Sequence, residues 1–217
     1  MRIVLLGLPG AGKGTQAALL ASSAGVPHVA TGNIFRQAMT AGTPLGLQVR
    51  EIVERGGLVP DQLTVAIVRQ RLMEADAARG FVLDGFPRTV PQALALDAML
   101  RGMAAPLERA VLLQMTADEA VARLAGRRVC PRCGATYHLQ AAPPAPDGTC
   151  PRCGAAVEQR ADDREEVQRR RVEAYEGETA PLVPHYEAAG RLLRVPAGGD
   201  VADVAARLRA ALAGAAR

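Results

Sequence analysis

The chain has 217 residues, 49% of them hydrophobic, and a formal net charge of +4 from 26 basic residues interleaved with 22 acidic ones. This length suits one core with excursions better than two independent domains. No apolar run approaches the roughly eighteen residues that span a bilayer, and the basic residues form no block, so composition argues against a membrane span and against a nucleic-acid surface.

The opening residues MRIVLLGLPG lack the basic region, long apolar stretch and cleavage site of a secretory signal, and a cytoplasmic location is expected. Arg2–Leu6 reads as a short buried strand and Gly14–Ala24 as a helix. Between them, Gly7-Leu8-Pro9-Gly10-Ala11-Gly12-Lys13-Gly14-Thr15 has the Gly-x4-Gly-Lys spacing of a phosphate loop. Glycines let several N–H groups converge on one phosphate, and the lysine reaches the outer phosphates. Lys13 is the only lysine in the chain, every other basic residue being arginine. Gly14 stands where the general motif has Ser or Thr, and the hydroxyl comes one step later at Thr15. Mg²⁺ is therefore expected to rest on phosphates, water and a more distant carboxylate.

Residues 30–59 hold helical segments punctuated by Gly and Pro with no clear strand, and read as an insertion. Phe81–Leu83 is the next apolar run, followed by Asp84-Gly85-Phe86-Pro87-Arg88-Thr89. A strand-end Asp beside a phosphate loop suggests a magnesium-directed carboxylate, and Arg88 a phosphate clamp. Gln92 lies three residues after Thr89, the spacing of a helix capping box. Ala110–Gln114 and Leu192–Val195 complete the strands. Short buried strands alternating with helices predict an α/β fold with a parallel sheet covered on both faces. The predicted core is residues 1–29, 60–126 and 165–217, with insertions at 30–59 and 127–164 over the sheet's carboxyl edge, where such folds bind ligands.

The second insertion carries all four cysteines, in two copies of CPRCG. Cys130, Cys133, Cys150 and Cys153 have the spacing of a four-thiolate Zn²⁺ site. Disulfides are the alternative, and a cytosolic chain with no cysteine left over favours the metal. A closed four-ligand site leaves no position for substrate, so the metal is expected to be structural.

DGFPRT, the loop GLPGAGKGT and Thr31-Gly32 together resemble the adenylate kinase family, and the resemblance runs from Met1 to about Val204. It implies that Gly10, Ala11, Gly12, Lys13, Gly14 and Thr15 hold the ATP phosphates, with Arg127, Thr136, Tyr137 and the backbone near Gly199 also at the ATP site. It implies an AMP site at Thr31, Arg36, Gly57, Leu58, Val59, Gly85, Phe86, Pro87, Arg88, Gln92, Arg160 and Arg171. Arg160, Asp162, Asp163 and Arg171 match the run that joins lid to core and faces the phosphates, and Arg123 matches a residue near ATP. Asn33 departs from the family, which usually has Asp there. The implied catalytic set is Lys13, Asp84, Arg88, Arg123, Arg160 and Arg171, with Mg²⁺ accompanying ATP, structural Zn²⁺ in the lid, and a monomer that binds ATP and AMP. Kinases acting on UMP or CMP, a phosphate-loop nucleotide switch, and a zinc-ribbon nucleic-acid binder are the rival readings. DGFPRT and a second anion site weigh against the last two.

Overall fold

The computed structural model describes residues 1–160 and 163–215. Its strands are β1 (Arg2–Leu6), β2 (His28–Ala30), β3 (Phe81–Asp84), β4 (Arg109–Gln114), β5 (Arg127–Val129), β6 (Thr136–His138) and β7 (Leu192–Pro196). Its α-helices are α1 (Lys13–Ala24), α2 (Thr31–Thr40), α3 (Pro44–Glu54), α4 (Asp61–Leu72), α5 (Val90–Gly102), α6 (Ala117–Ala125), α7 (Glu165–Ala174), α8 (Leu182–Ala188) and α9 (Val201–Ala215). Among the described residues, no helix is long and apolar enough to cross a membrane.

Five strands form a parallel sheet in the order β2-β3-β1-β4-β7. Successive side chains of a strand point to opposite faces, and here both faces are apolar. Val4, Leu6, Phe81 and Leu83 pack on one side with α4, α5 and α8. Ile3, Leu5, Val82 and Val111 pack on the other with α1 and α9. The strands predicted at Arg2–Leu6, Phe81–Leu83, Ala110–Gln114 and Leu192–Val195 are all present. β2 is an addition to them, and at three residues it is too short to show a period.

Register fixes the site. Leu5 lies opposite Asp84 across β1 and β3, and Ala30 lies opposite Asp84 across β2 and β3. The loops after β1 and β3 and the first turn of α2 therefore leave the sheet at one edge. Phe35 of α2, Val49 of α3 and Val59, just before α4, form a small separate core. β5 and β6 pair antiparallel with Arg128 opposite Tyr137, apart from the main sheet.

Candidate active site

The phosphate loop is formed by backbone that only glycine tolerates. Gly10 has φ 92°, and a Cβ there would come within 2.4 Å of the Ala120 carbonyl oxygen. Helix α1 starts at Lys13 with Gly12 as its N-cap and no side-chain cap, which leaves the first N–H groups available to an anion. Lys13 Nζ donates to the Gly7 and Leu8 carbonyls at 2.7 and 2.8 Å. Burial pushes its pKa down to about 7; Asp84 opposes the shift, while Arg88, Arg171 and Arg127 deepen it. Three predicted phosphate ligands thus lie within electrostatic reach of Lys13.

Asp84 ends β3 beside this lysine. Burial raises its pKa, but His28, Lys13 and Arg88 outweigh that and hold it below the usual carboxylate range. His28 Nε2 lies 3.4 Å from Asp84 Oδ2, a contact that the sequence reading does not include. A Cβ on Gly14 would sit 3.2 Å from the same oxygen. A side chain at Gly14 would thus stand in tight contact with the carboxylate.

Across the sheet edge lies a cleft. Of the residues matched to an AMP site, Thr31, Arg36, Gly57, Leu58, Val59, Gly85, Arg88, Gln92 and Arg171 line it, joined by Gly32, Phe35, Val53, Gly56 and Thr64, which the sequence reading omits. Phe86 and Pro87 do not line it; Phe86 is fully buried in the core behind it. Arg160 is also not among the lining residues, and its carbonyl accepts from Asp163 N–H at 3.0 Å. Gly85 (φ 78°) brings its backbone against Thr31 and Arg88, and its carbonyl accepts from Thr31 Oγ1 and Arg88 Nε, both at 2.9 Å. Asn33 keeps a polar link to this cleft, since Arg36 Nη2 donates to its amide oxygen. The usual carboxylate is therefore replaced as an acceptor but not as a charge.

Arg127 makes a two-pronged ion pair with the buried Asp163, including Nε to Oδ2 at 2.7 Å. This pair ties β5 to the chain just before α7. Arg123 Nη2 donates to the Gly199 carbonyl at 3.2 Å, so two residues matched to ATP contacts meet across 76 positions of sequence. Thr136 is exposed on β6. Tyr137 points its hydroxyl at Cys150 Sγ, 3.0 Å away. Asp162 lies outside the described residues.

The four cysteine sulfurs lie within 4.8 Å of one another, with Cys130 Sγ to Cys153 Sγ at 3.4 Å and Cys133 Sγ to Cys150 Sγ at 3.6 Å. A tetrahedron of thiolates around one ion has edges of about 3.8 Å, and all four cysteines are free of disulfides. The group is placed to bind a metal.

A family model described as adenylate kinase matches residues 5–191. The chain is 48% identical over 214 residues to the adenylate kinase of Geobacillus sp. (strain WCH70), covering 99% of each chain. It is 49% identical over 213 residues to that of Streptomyces griseus, covering 98% of this chain and 97% of the relative. With the adenylate kinase of Acidothermus cellulolyticus it shares 50% identity over 212 residues, 98% of each chain.

Proposed function

The chain belongs to the adenylate kinase family, and from that premise we propose that it transfers the γ-phosphoryl group of MgATP to AMP, reversibly, giving two ADP. The observation that carries this reading is the convergence of Lys13, Arg88 and Arg171, close enough for both arginines to depress the lysine's pKa. Arg88 and Arg171 also line the second cleft, so one cationic cluster serves two phosphate sites.

The acceptor phosphate is already an oxyanion near neutral pH, so no general base is required. The difficulty is to bring two polyanions into line, which makes positioning and charge neutralisation the main contributions. Lys13 and the N–H groups of the phosphate loop hold the donor phosphates. Arg36, Arg88 and Arg171 hold the acceptor phosphate, and Arg123, Arg127 and Arg160 add charge from the lid side. Asp84, an oxygen donor at the strand end, fits Mg²⁺, which accompanies ATP and neutralises its phosphates. The four thiolates fit structural Zn²⁺. We assign residues 30–59 to an AMP-binding insertion and 127–164 to a lid whose closure excludes water, a competing acceptor. One chain holds both substrate sites, and we propose a monomer. The test is a coupled assay for ADP with ATP plus AMP, CMP, UMP or GMP. AMP should be preferred by at least about tenfold, and comparable rates with UMP or CMP would overturn the assignment.

A second expectation follows from Lys13. With a pKa near 7 in the free protein, it is mostly neutral at pH 8, and a bound triphosphate favours its charged form. ATP binding at pH 8 should therefore take up as much as about 0.9 of a proton. Calorimetry in two buffers of different ionisation enthalpy measures this uptake. It should vanish in Lys13→Met, and proton release by the parent protein would contradict the arrangement.

A further inference from the structure

We infer that Asp61 sets the acceptor-base preference by fixing which way the Gln92 amide faces, an inference that rests on reading the cleft as the AMP site. Gln92 is 1% exposed and reaches that cleft from the first turn of α5. Its Nε2 donates to Asp61 Oδ1 at 2.7 Å, while its Oε1 accepts from the Arg88 backbone N–H at 2.8 Å. The second carboxylate oxygen of Asp61 accepts from Thr89 Oγ1 at 2.8 Å. Asp61 opens α4 directly after Pro60, so its own backbone is held by a helix start.

The two groups that hold the amide have opposite and fixed character. A carboxylate offers only lone pairs, and a backbone N–H offers only a proton. Turning the Gln92 amide over would set its oxygen against the Asp61 carboxylate and its NH₂ against the Arg88 N–H, replacing two hydrogen bonds by two repulsive contacts. A glutamine without such neighbours could present either orientation to a base. Here only one is allowed, and it leaves one N–H and one oxygen lone pair in a set order.

That order matters because the cleft's arginines anchor the phosphate end, so the base edge arrives in one sense. Adenine presents an acceptor at N1 and a donor at its 6-amino group. Hypoxanthine has nearly the same shape with the two reversed, a donor at N1–H and an acceptor at O6. A fixed amide pairs with the first and leaves buried polar groups opposed with the second, the situation in which hydrogen-bonding sites discriminate most strongly.

The experiment compares kcat/KM for AMP and for inosine monophosphate in the parent protein, Asp61→Asn and Asp61→Glu, with thermal unfolding of each. The carboxamide introduced by Asp61→Asn can donate as well as accept, so the flipped Gln92 amide loses one of its two penalties. The AMP-over-IMP ratio should fall by about tenfold, through a raised KM for AMP, with the KM for ATP within about twofold of the parent. Asp61→Glu restores an acceptor-only group and should keep the ratio within about threefold. A role confined to starting α4 would lower the unfolding temperature of Asp61→Asn and leave the ratio unchanged. That result, or an equal loss in Asp61→Glu, overturns the inference. A parent protein that fails to distinguish AMP from IMP would instead overturn the reading of the cleft.

Discussion

Arg88→Ala is expected to lower kcat by a factor on the order of 10² to 10³, with the fold intact and the KM for ATP little changed. Arg88 lies in the loop after β3, its Nε held by the Gly85 carbonyl at 2.9 Å, and its charge is felt by Lys13. In the proposed role, a guanidinium shared by two phosphate sites gains most when charge spreads over the transferring group, so its loss should raise the barrier more than it weakens substrate binding. Residues of this loop that face the core, such as Phe86, would instead unfold the protein when truncated. Circular dichroism and a chemical unfolding curve separate the two outcomes. Lys13→Met should fall by a similar factor, since no second lysine exists to substitute for it. Near-parental turnover by either variant would remove that residue from the mechanism.

Features carried by contiguous residues are legible in the sequence. The phosphate loop, DGFPRT and the paired CPRCG knuckles each compress a backbone requirement into a few neighbours, and the alternating apolar runs give the sheet. Pairings across the fold are not legible. Asp61 lies 31 positions from Gln92, and the sequence shows only the local half of that arrangement, the Thr89–Gln92 cap, in which Thr89 Oγ1 accepts from Gln92 N–H at 3.3 Å. Gln92 Oε1, however, accepts from the Arg88 N–H and not from Thr89, because the amide is also committed to Asp61. His28 gives no signal, since nothing in a three-residue strand says that its register brings it to Asp84. The family resemblance turns Arg127 and Asp163 toward the phosphates, and no spacing rule shows that they hold each other. It also matches Tyr137 to an ATP contact, yet the hydroxyl is directed at a thiol.

Removing the metal from the four cysteines is expected to unfold the lid before it affects phosphate chemistry. Between residues 127 and 160, the only buried side chains are those of Cys130 and Cys150, and Leu139 is half exposed. Such a segment has almost no apolar interior, and its two short strands contribute few backbone bonds. Burying two thiols beside two others without an ion leaves polar groups poorly compensated. Four thiolates on Zn²⁺ replace that deficit with a metal-binding free energy that is largely folding free energy in small modules. The Tyr137 hydroxyl at Cys150 would add a hydrogen bond to a coordinated sulfur and so connect the ion to β6. A chelator applied to reduced protein should lower the first unfolding transition by about 5 °C or more and speed hydrogen exchange in β5 and β6 ahead of the main sheet. None of the proposed phosphate ligands is a cysteine, so the stripped protein should keep measurable ADP formation in the cold and lose it on mild warming. A Cys→Ser replacement at all four positions should reproduce this behaviour without chelator. Freshly reduced protein that contains no metal, or a quadruple variant that unfolds at the parental temperature, would show that the lid is held together in some other way.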